Sequence, residues 1–282
     1  MSSRIRLRDV ATLRRLPLGA ALGVAVATLL LATAYHAVAG ACGDSIDGKR
    51  VACASGDTVV TDTVLWPTDP VVTEPCSGDG LTLLASGDTD SLTLHLGGQS
   101  IVGHGYGAGI RVVRGGRLGA VIVGGDTDDS RAEIARFGTG IRASGRDVLR
   151  EVRSIDIHDN AADGLSIHAS GVKLDDIRSE ANGRDGVALS GHGNDVSGVT
   201  ASDNARDGVK VRGSAATVNA ETTGNRRNGT VIGGRGNRVE QLRTTGNGGA
   251  GMMATGDGHE VSGMQATDND GGNLTGRPGA AE

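Results

Sequence analysis

Asparagine returns along this chain at a spacing that admits few folds. Asn160, Asn182, Asn204, Asn225, Asn247 and Asn269 stand at intervals of 22, 22, 21, 22 and 22 residues. Periodicity of this length is the mark of a solenoid, in which each repeat packs only on its neighbours. Four residues after each Asn comes Gly164, Gly186, Gly208, Gly229 or Gly251, and at the last turn Asn273 takes that place. Paired apolar positions follow at five and seven, as in Leu165 and Ile167, Val187 and Leu189, or Val209 and Val211. That alternation is a strand with one buried face. Five residues before the Asn stand Ile177, Val199, Ala220, Leu242 and Met264, with small residues two places on, so a second strand faces the same interior. No run longer than ten residues in this region is free of Gly and Asn, which leaves little room for a helix.

The repeats therefore read as coils of about three short strands joined by turns. Parallel pairing stacks equivalent residues about 4.8 Å apart. Stacked at a bend, each Asn amide can bond the turn backbone and the Asn of the next coil. The recurrent Gly is expected to supply the unusual backbone angles of the corner. Gly109-Ile110 and Gly140-Ile141 begin two earlier coils, and the longer of them is expected to carry a loop, GGDTDDSRAE.

The Asn-x-x-Asp-Gly-Val pattern of NGRDGV and NARDGV resembles secreted proteins with right-handed parallel β-helix repeats, of the pectate-lyase-like type. The segments SGDGLTLL and LTLHLGGQS resemble the opening coils of such proteins, with His95 where an Asp is common. The resemblance spans about residues 76–275 and implies an all-β, right-handed parallel β-helix solenoid. It does not single out one function, because lyases, hydrolases, epimerases and inert surface proteins share these coils.

The organisation expected around the solenoid is a signal peptide over 1–41, a cap over 42–75 and a tail over 276–282. Five arginines precede an apolar run from Leu16 to Ala34, and small residues fitting a cleavage site follow. An uncleaved membrane anchor is the alternative reading of that run. Without residues 1–41 the chain has 23 basic and 32 acidic residues, a formal charge of −9. An acidic body argues against nucleic acid and anionic lipid as main partners. The expected product is an extracytoplasmic monomer with no membrane span, in contact with polysaccharide or another cell-envelope component.

The cysteines, Cys42, Cys53 and Cys76, lie close together, and an oxidising compartment implies one disulfide and one thiol left over. A lipid on Cys42 leaves Cys53 to pair with Cys76, while a Cys42–Cys76 pair stays open.

Catalytic groups of a β-helix enzyme are expected on outward strand positions one rung apart. One outward column holds Asp156 and His158, then Arg178 and Glu180. Arg178 suits a uronate carboxylate, with His158 or Asp156 moving a proton. A second column holds His168, Lys210 and Arg212, basic enough to bind an anionic sugar, although His168 and Arg212 are two rungs apart, about 10 Å. Either column also reads as an ordinary solvated face. Arg184, Arg206 and Arg227 beside Asp163, Asp185 and Asp207 read as a charge-compensated ladder that aids solubility.

No cofactor is assigned beyond calcium, for which Asp126, Asp128 and Asp129 offer oxygen ligands without the spacing of a known calcium loop. The Gly-His-Gly at Gly191–Gly193 resembles one found near the catalytic aspartates of polygalacturonases, but it occupies a slot that is a glycine-rich corner in other coils. Three function classes remain: a uronate-polymer lyase, epimerase or hydrolase, a non-catalytic carbohydrate-binding solenoid, and a structural or adhesive envelope protein.

Overall fold

The computed structural model describes residues 40–85, 91–114, 119–125 and 130–276. The expected signal peptide lies outside these apart from its last two residues, and so do Asp126, Asp128, Asp129 and the tail beyond Gly276.

Two twelve-stranded sheets run through the described residues, and from Thr58 onward every strand pairing is parallel. The first sheet stacks, among others, Thr139–Ser144, Leu165–His168, Val187–His192, Val209–Ser214, Thr230–Arg235 and Met252–Asp257. The second stacks Leu149–His158, Lys173–Glu180, Asp195–Ser202, Thr217–Thr223 and Arg238–Thr245. Two of these longer strands turn sharply at a left-handed residue, Ser154 (φ 55) and Asp176 (φ 53), which stack one over the other. Each such strand thus supplies two faces, so the three expected strands per coil are present with two of them continuous. Inward positions such as Leu165, Ile167, Leu174 and Ile177 are fully buried and build one core along the coils. The missing residue of the short coil falls at the bend, between Val218 and Ala220.

The asparagines form an unbroken ladder. Nδ2 of each donates to Oδ1 of the next, from Asn160 to Asn182 (2.9 Å) through Asn247 to Asn269 (2.8 Å). The same oxygens accept the backbone N–H of the preceding rung, at 3.0–3.1 Å. Buried amides satisfied on both sides turn a desolvation cost into a register lock. Upstream, Phe137 takes the Asn position, donating its N–H to Asn160 Oδ1 (2.9 Å) and filling the corner with its ring.

The recurrent glycine does a different job from the one expected. Gly186 and its equivalents are not left-handed; the left-handed residue is the one just before the Asn, such as Ala181 (φ 53) or Asp203 (φ 54). Glycine is required after the Asn by crowding, since a Cβ on Gly186 would sit 2.7 Å from Asn204 Nδ2 and from the Gly208 carbonyl oxygen.

Two further expectations are corrected. Ala132–Ala135, whose first two residues end the expected loop, is a strand that pairs with both Ser100–Val102 and Ile155–His158. The alternation of Ala132 and Ile134, both buried, gives it the inward face of a coil. The disulfide joins Cys42 to Cys53, not Cys53 to Cys76. Ala41–Ile46 lies on Thr58–Val59 and turns back through Asp47 and Gly48 into Lys49–Val51, which brings Cys42 and Cys53 together with their Cα atoms 5.1 Å apart. The sulfur of Cys42 is thereby taken up by the disulfide. Cys76 is a buried free thiol, pushed up from the usual thiol range by burial against a smaller opposing hydrogen bond with Ser55. In the same segment Arg50 stacks 4.2 Å over the Trp66 ring and forks onto Asp69 at 2.6 and 2.8 Å.

Candidate functional site

Parallel register places outward side chains of successive coils in columns. Asp156 is paired with Arg178 and His158 with Glu180, one rung apart, and on the rung before them Glu133 is paired with Asp156. All four predicted residues line one cleft of about 540 Å³, together with Ser100, Arg131, Glu133 and Asp159.

Arg131 organises this cleft. Its side chain, only 5% exposed, reaches along the bend to the carboxylates of Asp156 (2.6 Å) and Asp176 and to the Asp176 carbonyl oxygen (2.6 Å). Burial works against ionisation of Asp176, but the hydrogen bond and positive charge of Arg131 outweigh it, so its carboxyl lies below the usual range. His158 is held between Glu133 and Asp159, each ring nitrogen 3.0 Å from a carboxylate oxygen. Ser100 donates to Glu133 at 2.7 Å. The side chains of Arg178 and Glu180, both exposed residues, make no hydrogen bond or ion pair among the described residues, so their charged groups are open to solutes.

Sequence reasoning missed Arg131, Glu133 and Asp159. Treating GGDTDDSRAE as a loop hid the first two; the alternation Ala-Glu-Ile-Ala was the signal that would have placed Glu133 on a strand.

The second predicted column lies on the other sheet. His168, Lys210 and Arg212 line a groove with Arg142, Asp163, Arg184 and Asp185, over Ser166, Ala188 and Ser190. Lys210 is bound to Asp185 (3.0 Å) and Asp207 (3.2 Å). This corrects the arginine ladder: Lys210 bridges Asp185 and Asp207, and Arg184, Arg206 and Arg227 form no ion pair among the described residues. Lys210 reaches both because it stands three residues after Asp207 and is in register with Ala188, itself three residues after Asp185 on the rung before. Asp163, Asp185 and Asp207 instead form a stepped ladder with Asn228, each accepting the next residue's N–H at 3.2 Å.

His192 ends the strand Val187–His192, its Nδ1 3.0 Å from Ser214 Oγ and its N–H donating to Ser170 Oγ at 3.0 Å. Among the described residues no group of three or more His, Cys, Asp or Glu side chains is placed to hold a metal ion, and no helix is long and apolar enough to cross a membrane.

Fold and cleft define a class: a parallel β-solenoid bearing polar columns on its outward faces. The chain belongs to the family described as right handed beta helix region, whose model matches residues 118–264. No curated protein matches the sequence. Among solved structures the chain is similar to full-length tailspike protein 2 from Escherichia coli O157:H7 bacteriophage CAB120, at 11% identity and a TM-score of 0.37. That likeness covers 76% of this chain and 31% of the tailspike chain, so the chain spans about a third of the tailspike's length.

Proposed function

We propose that this protein is an exported, monomeric β-helix solenoid that contacts polysaccharide through the cleft around Arg178. The observation that carries the reading is the convergence of Asp156, His158, Arg178 and Glu180, with Arg178 and Glu180 left open to solutes. Guanidinium and carboxylate groups so placed bond sugar hydroxyls and substituents from one side of a chain lying along the coils.

Binding is better supported than chemistry. Asp156 is tied to Arg131, and both ring nitrogens of His158 are already engaged, 3.0 Å from the carboxylates of Glu133 and Asp159. The cleft's carboxylates, Glu133, Asp156, Asp159 and Glu180, outnumber its arginines, Arg131 and Arg178, which disfavours a polyuronate there. A lyase or epimerase is the second reading, favoured by Glu180, an unpaired carboxylate next to Arg178 in the column-and-rung pattern. A non-catalytic structural or adhesive role in the cell envelope is the remaining class.

A glycan array on the full chain, with and without calcium, tests the proposal. Binding to a subset of polysaccharides should weaken by about tenfold or more in Arg178→Ala, the effect of losing a charged hydrogen bond. Failure of every glycan to bind removes the reading. Release of unsaturated sugars from an acidic polymer, lost in His158→Ala, would establish the lyase instead.

A further inference from the structure

The groove on the first sheet has a charge pattern unlike the cleft. Its lysine is already bound by Asp185 and Asp207. The side chains of Arg142, Arg184 and Arg212, all exposed residues, form no hydrogen bond or ion pair among the described residues. Asp79, the carboxylate that senses Arg142, is already forked by Arg111 at 2.8 and 3.0 Å and accepts the Ala108 N–H at 2.7 Å. The remaining acid, Asp163, has one oxygen engaged by the Asp185 N–H at 3.2 Å.

Between these arginines the floor is kept low. Ser166 and Ala188 lie in register between Arg142 and Lys210, and Ser190 lies between His168 and Arg212. Arg142 and Arg212 stand three rungs and two strand positions apart, about 16 Å at the spacing of paired strands and residues, and on the two rungs between them those columns hold only Ser166, Ala188, His168 and Ser190. Long guanidinium arms on both sides of a low floor, and Arg184 on the rim, line one depression.

A guanidinium has only donors to offer, in a planar fork. A carboxylate satisfies one such fork, whereas a tetrahedral phosphate or sulfate group spreads its oxygens in directions that a second fork can also reach. We infer that the groove of Arg142, Arg184 and Arg212 is a binding site for a phosphate or sulfate group carried on a polymer, separate from the cleft on the second sheet. The site does not depend on polysaccharide contact at Arg178.

Calorimetric titration of the full chain at low ionic strength, with inorganic phosphate, inorganic sulfate and acetate, tests it. Phosphate and sulfate should bind about tenfold more tightly than acetate, because two forks are engaged in place of one. Arg142→Ala, Arg184→Ala and Arg212→Ala should each weaken the dianions by a factor of about ten, and Arg178→Ala should leave them unchanged. A phosphodiester-linked polyol polymer and a sulfated glycan, titrated in parallel, show which source the groove prefers. Equal affinity for acetate and phosphate overturns the inference. So does phosphate affinity retained in the triple variant, with its native fold verified by circular dichroism.

Discussion

At the scale of single residues, the fold depends on amides that replace backbone partners at corners. The Asn160–Asn269 ladder is one such corner. A second, Asn194 and Asn237, was not legible as a repeat because Val172 and Ala216 interrupt it. Asn194 Oδ1 accepts the Val172 N–H at 2.9 Å, and Asn237 Oδ1 accepts the Ala216 N–H at 3.0 Å. His259, 1% exposed, is the next member: Nδ1 accepts the Asn237 N–H at 3.4 Å, and Nε2 lies 3.1 Å from the Thr255 carbonyl. An imidazole thus reproduces the acceptor and donor of an amide. His259→Asn should change stability by less than about 1 kcal/mol, whereas His259→Ala leaves the Asn237 N–H unsatisfied and should cost about 2 kcal/mol. Urea unfolding of both variants checks this; equal losses would show that the ring only fills space.

At the scale of elements, the strand Ala132–Ala135 decides the cleft. It carries Glu133 into the column of Asp156 and leaves Arg131 at its start, aimed along the bend of the neighbouring strands. Arg131→Ala should lower stability by about 2 kcal/mol, less than a fully buried ion pair costs, because both carboxylates keep water. The sign of the pH effect follows from Asp176. Its carboxyl is depressed in the folded state, so its contribution is present above the ordinary carboxylate range and lost as pH falls through the folded value. The difference between wild type and Arg131→Ala in urea midpoint should therefore shrink on going from neutral pH to about pH 3. A difference that stays constant would mean Arg131 acts through packing. The column positions of Asp156, His158, Arg178 and Glu180 were readable from the period, because parallel register repeats whatever spacing the sequence has. Their pairing was not, since Arg131 and Glu133 come from a coil of 31 residues that broke the period.

At the scale of the whole molecule, stability is a sum over neighbouring coils, and the two ends of the described solenoid differ. The N-terminal edge is covered by the hairpin of Ala41–Ile46 and Lys49–Val51 and closed by a disulfide spanning 11 residues. The other edge ends in Leu274–Gly276, with Leu274 exposed and no further strand among the described residues. Hydrogen exchange should be fastest across Met264–Gly276 and slowest in the coils between Leu165 and Arg235. Reduction should cost about 3 kcal/mol by loop entropy and release protection mainly in residues 41–51. Uniform exchange along the chain would contradict coil-by-coil stability. The sequence by itself determined the coil length, the inward faces and the asparagine ladder, because parallel stacking converts a linear period directly into contact. Only the tertiary structure decided which charges neutralise one another and which cysteines pair. Those partners are chosen by distances across rungs and around bends, where separation along the chain no longer measures separation in space.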